Sequence, residues 1–154
     1  MPDTKPKPPH ILVVEAPYYR EIAAGQLAGV KRTLEAAGAS FEVVQVAGAF
    51  ELPGAVRLAI GAMARAGGPR WDGFIALGCV VRGETDHYDH ICRETARGLM
   101  DLTVQFGVPV AFGVLTVHDE EQALARARDD EMNKGVEAAN AVLAQIALAR
   151  TWGA

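Results

Sequence analysis

Cysteine is scarce in this chain: only Cys79 and Cys92 occur, with no CxxC spacing and no cysteine-dense frame. That excludes a disulfide scaffold and points to reduced thiols in a cytoplasmic protein. Basic residues are not in excess either, since 15 Lys and Arg stand against 19 Asp and Glu, for a formal net charge of -4. Nucleic acid and anionic membranes both require a clustered basic footprint, so neither is expected as a partner, and small molecules are. Long apolar runs are missing. No stretch approaches the roughly 18 apolar residues of a membrane span, and the start, MPDTKPKPPHILVVEAP, has too short an apolar run for a secretory signal. The expectation is a soluble protein that is not exported. The phosphate-loop pattern GxxxxGKS/T and the dinucleotide pattern GxGxxG are both absent, which removes the usual support for nucleoside triphosphates and dinucleotides. Internal repeats and low-complexity segments are lacking as well.

What is present is an ordinary globular composition: 154 residues, 50% hydrophobic and 22% charged. A chain of this length buries roughly two-thirds of its unfolded surface, so packing alone can hold one domain together. Residues 1–10, with four prolines, are expected to form a flexible arm, and residues 11–154 a single domain. Short β-branched runs alternate with stretches of helical period. The runs are Ile11 to Val14, Phe41 to Ala47, Gly73 to Gly78 and Val108 to Thr116, and their continuous apolarity suits strands covered on both faces. Between them, residues 20–38 place Ala23, Leu27, Val30 and Leu34 on one face and end at Gly38. Residues 52–68 tolerate Pro53 in a first turn, and residues 88–107 form a third helix. Asp119 with Gln122 resembles a capping box, and Asn133 caps a final helix over 133–150. The pattern predicts an α/β fold, a three-layer α/β/α sandwich around a four-stranded parallel sheet.

Such sheets bind ligands beyond the carboxyl ends of their strands. Polar clusters fall at all four ends: EAPYYRE, GAFELP, GCVVRGETDHYDH and TVHDEEQ. In RGETDH, Gly83 permits close backbone approach and Thr85 brings a hydroxyl at the start of a helix, which suits an anion or a plain capping loop. His87 is a candidate general acid or base, although a loop histidine can also be merely solvated. His87 and His90 with Asp86, Asp89 and Cys92 raise the alternative of a metal, but the HExxH pattern is absent and consecutive helical positions point apart. Cys79 is a nucleophile only beside an activating base and otherwise a packed thiol. Tyr18 and Tyr19 can stack on a planar ring or cover the sheet edge. Phe50 joins a ring to the Glu51 carboxylate, which can hold hydroxyls or serve the helix dipole. Arg126 and Arg128 divide between anion ligands and surface pairs. The residues thus reach a small-molecule site with an anionic part.

Taken in order, GAFELP, GCVVRGETDHYDHIC, VPVAFGVLT, EEQALAR and NKGVEAA, within residues 11–150, resemble the lumazine synthase family of riboflavin biosynthesis, whose fold is flavodoxin-like. The resemblance implies condensation of 5-amino-6-(D-ribitylamino)uracil with 3,4-dihydroxy-2-butanone 4-phosphate to 6,7-dimethyl-8-ribityllumazine, with no cofactor and no metal. On that resemblance the family's stacking aromatic falls on Tyr18, a tyrosine where many members carry phenylalanine. Ala49, Phe50 and Glu51 hold the ribityl chain and pyrimidine, and Cys79, Val80 and Val81 line the pyrimidine through backbone groups. Glu84 and Thr85 form the phosphate loop, His87 transfers protons, Phe112 is a pocket ring and Arg126 binds phosphate. Lys134 matches a lysine near the site. In the family Phe112 and Arg126 come from the adjacent subunit, so a homo-oligomer with sites between subunits is implied. A pentamer or a decamer is expected rather than the sixty-subunit shell of some relatives, because the prolines of KPKPP cannot donate to a strand ladder and Asp129, Asp130 and Glu131 gather like charge. Competing readings are a flavin or lumazine carrier, a shell-forming structural protein and a zinc hydrolase built on His87 and His90.

Overall fold

The computed structural model describes residues 5–153. Strand and helix alternate as β1 (His10–Glu15), α1 (Arg20–Ala36), β2 (Ser40–Gln45), a 3-10 turn (Ala49–Glu51), α2 (Leu52–Ala66), β3 (Gly73–Val81), α3 (His87–Phe106), β4 (Val110–Val117), α4 (Glu120–Ala125) and α5 (Lys134–Thr151). Residues 1–4 of the expected arm lie outside the described residues; 5–9 carry no regular structure, and His10 already pairs with Ser40.

All four strands are parallel, in the order β2-β1-β3-β4. The chain steps from β1 outward to β2 over one face, then back across β1 to β3 and on to β4 over the other, so right-handed crossovers place α1 and α2 on opposite faces. Each layer has its own core. On one face Leu12, Val14, Phe74, Ala76 and Val114 meet Leu52, Val56 and Ile60 of α2 and Leu99 and Leu102 of α3. On the other, Ile11, Val13, Ile75 and Leu77 meet Val30 and Leu34 of α1 and Ala139, Val142 and Ile146 of α5. Both faces of β1 and β3 are therefore apolar, which is why their sequences read as unbroken runs. Phe74 and Leu34 are fully buried, and truncating such a side chain to alanine costs about 2–5 kcal/mol. The fold is the three-layer α/β arrangement that the alternation predicts.

Local signals set the element ends. Gly67 and Gly107, at φ 77° and 63°, end α2 and α3 in the left-handed region that glycine adopts at no steric cost. At α4, Asp119 accepts the Gln122 N–H at 2.8 Å while the Gln122 side chain accepts the His118 N–H at 2.8 Å. This is a capping box that reaches one residue farther back than the usual form. Two expectations change. β2 stops at Gln45, where its partner β1 ends at Glu15, and it is not covered on both faces, since Val43 and Val44 are 36% and 42% exposed at this sheet edge. β3 runs three residues past Gly78 to Val81 because β4 continues beside it, pairing Cys79 with Leu115 and Val81 with Val117.

Candidate active site

The strand order reverses between β1 and β3, so the segments leaving these strands diverge and open a crevice at their carboxyl ends. β1 stays beside β3 only as far as the pair Glu15 and Leu77. From Cys79 to Val81, therefore, one edge of β3 has β4 beside it and the other has no strand. Free backbone N–H and C=O groups on such an edge can read a planar amide-like ring. Side chains alternate there: Cys79 and Val81 pack with Tyr19, Ile22 and Leu124, and Val80 turns to the opposite core. Burial, with the Glu120 charge behind it, pushes the Cys79 thiol up to about 11, so it stays protonated near neutral pH. A nucleophilic Cys79 lacks its thiolate.

The 3-10 turn after β2 faces this crevice. Its Ala49 is buried, and the Ala49 carbonyl accepts the hydroxyl of Thr95, a fully buried residue of α3, at 3.2 Å. The turn is thereby fastened to α3. Phe50 and Glu51 project from it; Phe50 is 60% exposed. Together with Gly48, His87 and Ile91 they line a recess of about 440 Å³. His87 is the first residue of α3 and Ile91 lies one turn on, so both share a helix face.

The loop ahead of α3 leaves Gly83, Glu84, Thr85 and Asp86 exposed. Asp86 occupies the N-cap position without a capping bond of its own, and its carboxylate reaches His90 at 3.2 Å instead. The amino end of a 20-residue helix thus faces outward with its positive pole available to an anion. The Thr85 hydroxyl accepts the His87 N–H at 3.4 Å. Arg82 is drawn away from this loop, stacked on Tyr88 at 4.6 Å and paired with Asp89 at 3.2 Å. Among the described residues no three His, Cys, Asp or Glu side chains converge as metal ligands, and His90 is engaged with Asp86.

Phe112, Arg126 and Lys134 line a different recess, of about 380 Å³, with Thr116, Met132 and Glu137. Phe112 stands on β4, the far edge of the sheet. Arg126 closes α4, its guanidinium donating to the Gln122 carbonyl at 2.9 Å, and no carboxylate among the described residues pairs with it. Lys134 opens α5 and pairs with Glu137 at 2.9 Å. Its backbone N–H donates to the Arg126 carbonyl at 2.7 Å, so the two cations are tied through the main chain. Tyr18 belongs to neither recess; it is 75% exposed after β1 and meets Tyr19 edge-on at 5.0 Å.

Within one chain, then, Ala49, Phe50, Glu51 and His87 come together, and Phe112, Arg126 and Lys134 come together, but the two recesses share no residue. A third cavity, about 430 Å³, sits at the amino ends of the strands between Met63, Trp71, Val108 and Ile146 and contains none of these residues. Sequence reasoning missed Thr95, Ile91 and the buried Gln26, whose amide donates to the Gly78 and Gly113 carbonyls at 3.2 and 2.9 Å. A polar residue on the apolar face of α1, beside Ala23 and Val30, was the available signal for Gln26.

The family model described as 6,7-dimethyl-8-ribityllumazine synthase matches residues 8–150. Among similar proteins, the 6,7-dimethyl-8-ribityllumazine synthase 1 of Rhizobium meliloti is 49% identical over 150 residues, 97% of each chain. That of Methylorubrum populi is 51% identical over 140 residues, 91% of this chain and 82% of the relative. That of Agrobacterium fabrum is 46% identical over 145 residues, 94% and 97%.

Proposed function

The chain belongs to the 6,7-dimethyl-8-ribityllumazine synthase family, and on that premise we propose how its residues divide the work. The enzyme condenses 5-amino-6-(D-ribitylamino)uracil with 3,4-dihydroxy-2-butanone 4-phosphate, releasing phosphate and water, in the penultimate step of riboflavin biosynthesis. The amine attacks the ketone, water leaves to give an imine, phosphate is eliminated, and the ribitylamino nitrogen closes the ring on the remaining carbonyl with loss of a second water. Each step moves a proton. His87 moves them, because an imidazole can both give and accept a proton, and this one stands at an exposed helix start where it lines the recess with Phe50 and Glu51.

The pyrimidine lies along the unpartnered edge of Cys79 to Val81, where its ring amides meet backbone groups, with Tyr18 and Phe50 supplying aromatic faces and Glu51 accepting ribityl hydroxyls. The leaving phosphate sits at the exposed amino end of α3, on the Glu84 and Thr85 amides. Arg126 binds it from the other side, with Lys134 adding charge and Phe112 closing the pocket. Much of the remaining acceleration comes from holding two substrates together.

Because the two recesses do not meet within a chain, each site is completed by the neighbouring subunit, which brings Phe112, Arg126 and Lys134 to His87. Exposed Leu58, Met100 and Val104 on the α2 and α3 layer, at 72%, 61% and 73%, supply an apolar face that wants covering by another copy. The assembly is a pentamer or two stacked pentamers. No helix among the described residues is long and apolar enough to cross a membrane, and the two free cysteines fit a reducing cytoplasm.

The observation that carries this division is the pairing of a recess holding His87 with a separate recess holding Arg126. Phosphate release from the two substrates, followed together with formation of the lumazine chromophore, tests it. Stoichiometric phosphate and product support the reading; tight pyrimidine binding without phosphate release would mark a carrier instead.

A further inference from the structure

Asn133 is 1% exposed, and every polar atom it has is engaged. Its Oδ1 accepts the Val136 N–H at 3.1 Å, which caps α5. Its Nδ2 donates to two carbonyls, Gly25 of α1 at 3.1 Å and Arg128 of the α4–α5 linker at 2.8 Å. The backbone N–H reaches Asp130 at 3.2 Å, and the carbonyl accepts from Glu137 at 3.2 Å. A residue that only capped a helix would need the first of these bonds alone.

Helix α1 is shaped for this side chain. A Cβ at Gly29 would run into the Asn133 amide, and one at Gly25 would strike the Ala127 carbonyl. Two glycines one turn apart thus let the linker lie directly on α1. Arg126 and Lys134 flank that linker and are joined by the 2.7 Å bond from the Lys134 N–H to the Arg126 carbonyl. The second cationic recess therefore owes its geometry to α1, an element that supplies none of its lining.

We infer that Asn133, seated on Gly25 and Gly29, is the positioning residue for the anion-binding pair Arg126 and Lys134. The inference rests on the reading of Arg126 as a phosphate ligand. Its amide fixes where the two cations stand without touching substrate. Ser at this position keeps a cap for the Val136 N–H but cannot span to both carbonyls.

The test compares Asn133→Ser, Arg126→Ala and the double variant in steady-state assays with both substrates, with inorganic phosphate as a competitive inhibitor. Asn133→Ser is expected to raise the KM for the phosphorylated ketone and the phosphate inhibition constant roughly 10-fold or more, while the pyrimidine KM moves by less than about twofold. In the double variant the serine should add little to what Arg126→Ala has already removed, the mark of action through Arg126. If Arg126→Ala raises both constants and Asn133→Ser raises neither, or if the two effects multiply, the positioning role is overturned. If Arg126→Ala itself changes nothing, the phosphate reading of Arg126 falls, and this inference with it. Should Asn133→Ser fail to fold, Gly29→Ala, which displaces the amide from the other side, is read by the same constants and the same criteria.

Discussion

His87 stands at the first position of α3, exposed and across a recess from Phe50 and Glu51. General acid or base help of this kind is worth about 10²- to 10⁴-fold, and the condensation has some uncatalysed rate. His87→Ala should therefore lower turnover roughly 10- to 1,000-fold while leaving the assembly intact; unchanged turnover removes His87 from the mechanism. Cys79 carries a different signature. Its folded thiol is pushed up to about 11 from an ordinary 9.0, chiefly by burial, and burial moves Cys92 and Tyr19 in the same direction. The unfolded chain releases these protons first, so stability is complete below the ordinary value and falls as pH climbs toward the folded one. Urea midpoints measured from about pH 8 to about pH 11 should decline, and Cys79→Ala should make the decline shallower. Equal slopes in the two proteins would show that Cys79 is not the group responsible.

Among the strands, β2 is the most exposed. Its side chains bury little, and beyond its ladder with β1 it is held by the Glu42 carboxylate, which accepts from His10 at 2.8 Å, from the Trp71 indole at 2.6 Å and from Arg70 at 2.7 Å. Those donors, His10 first, hold Glu42 below its ordinary 4.5. The stabilisation is present above that value and lost as pH falls through the lower folded one. Since Glu42 is partly exposed, its contribution is at most about 1 kcal/mol, so Glu42→Gln near about pH 6 should cut amide protection in β2 by roughly two- to fivefold. Protection in β3 should not change. Protection lost equally throughout the sheet would assign Glu42 to global stability instead. The same strand marks the limit of what the sequence discloses. Runs such as Ile11 to Val14 announced strands because burial on both faces writes itself as unbroken apolarity, and Gly38, Asp119 and Asn133 announced helix ends through turn chemistry. Val43 and Val44 follow the same apolar pattern at an edge that α1 does not cover, and nothing local separates the two cases. The extra reach of β3 to Val81 was hidden for a related reason, since it depends on β4 continuing beside it. At the site, His87, Phe50 and Glu51 could be picked out by type, but their gathering around one recess needed the Thr95 bond that fastens the 3-10 turn to α3.

At the scale of the whole molecule, the linker between α4 and α5 bears on how copies meet. Asp129 is tied to Arg32 at 2.6 Å, which leaves Asp130 and Glu131 as the exposed like charges of that segment. If the proposed pentamers met at this segment, unpaired acids repeated at every contact would oppose closure of a shell. Light scattering at neutral pH should give the mass of five or ten chains across a range of salt, and a particle of sixty chains would overturn that expectation. The separation of the two recesses has one more consequence. If every catalytic centre draws His87 from one chain and Arg126 from the next, two crippled proteins can repair each other. Mixing His87→Ala with Arg126→Ala chains and reassembling them would put intact halves together at about a quarter of the contacts, since each interface chooses its two partners independently. Activity would then rise on co-assembly without any change in sequence, a form of complementation open to a shared centre and closed to one contained within a single chain.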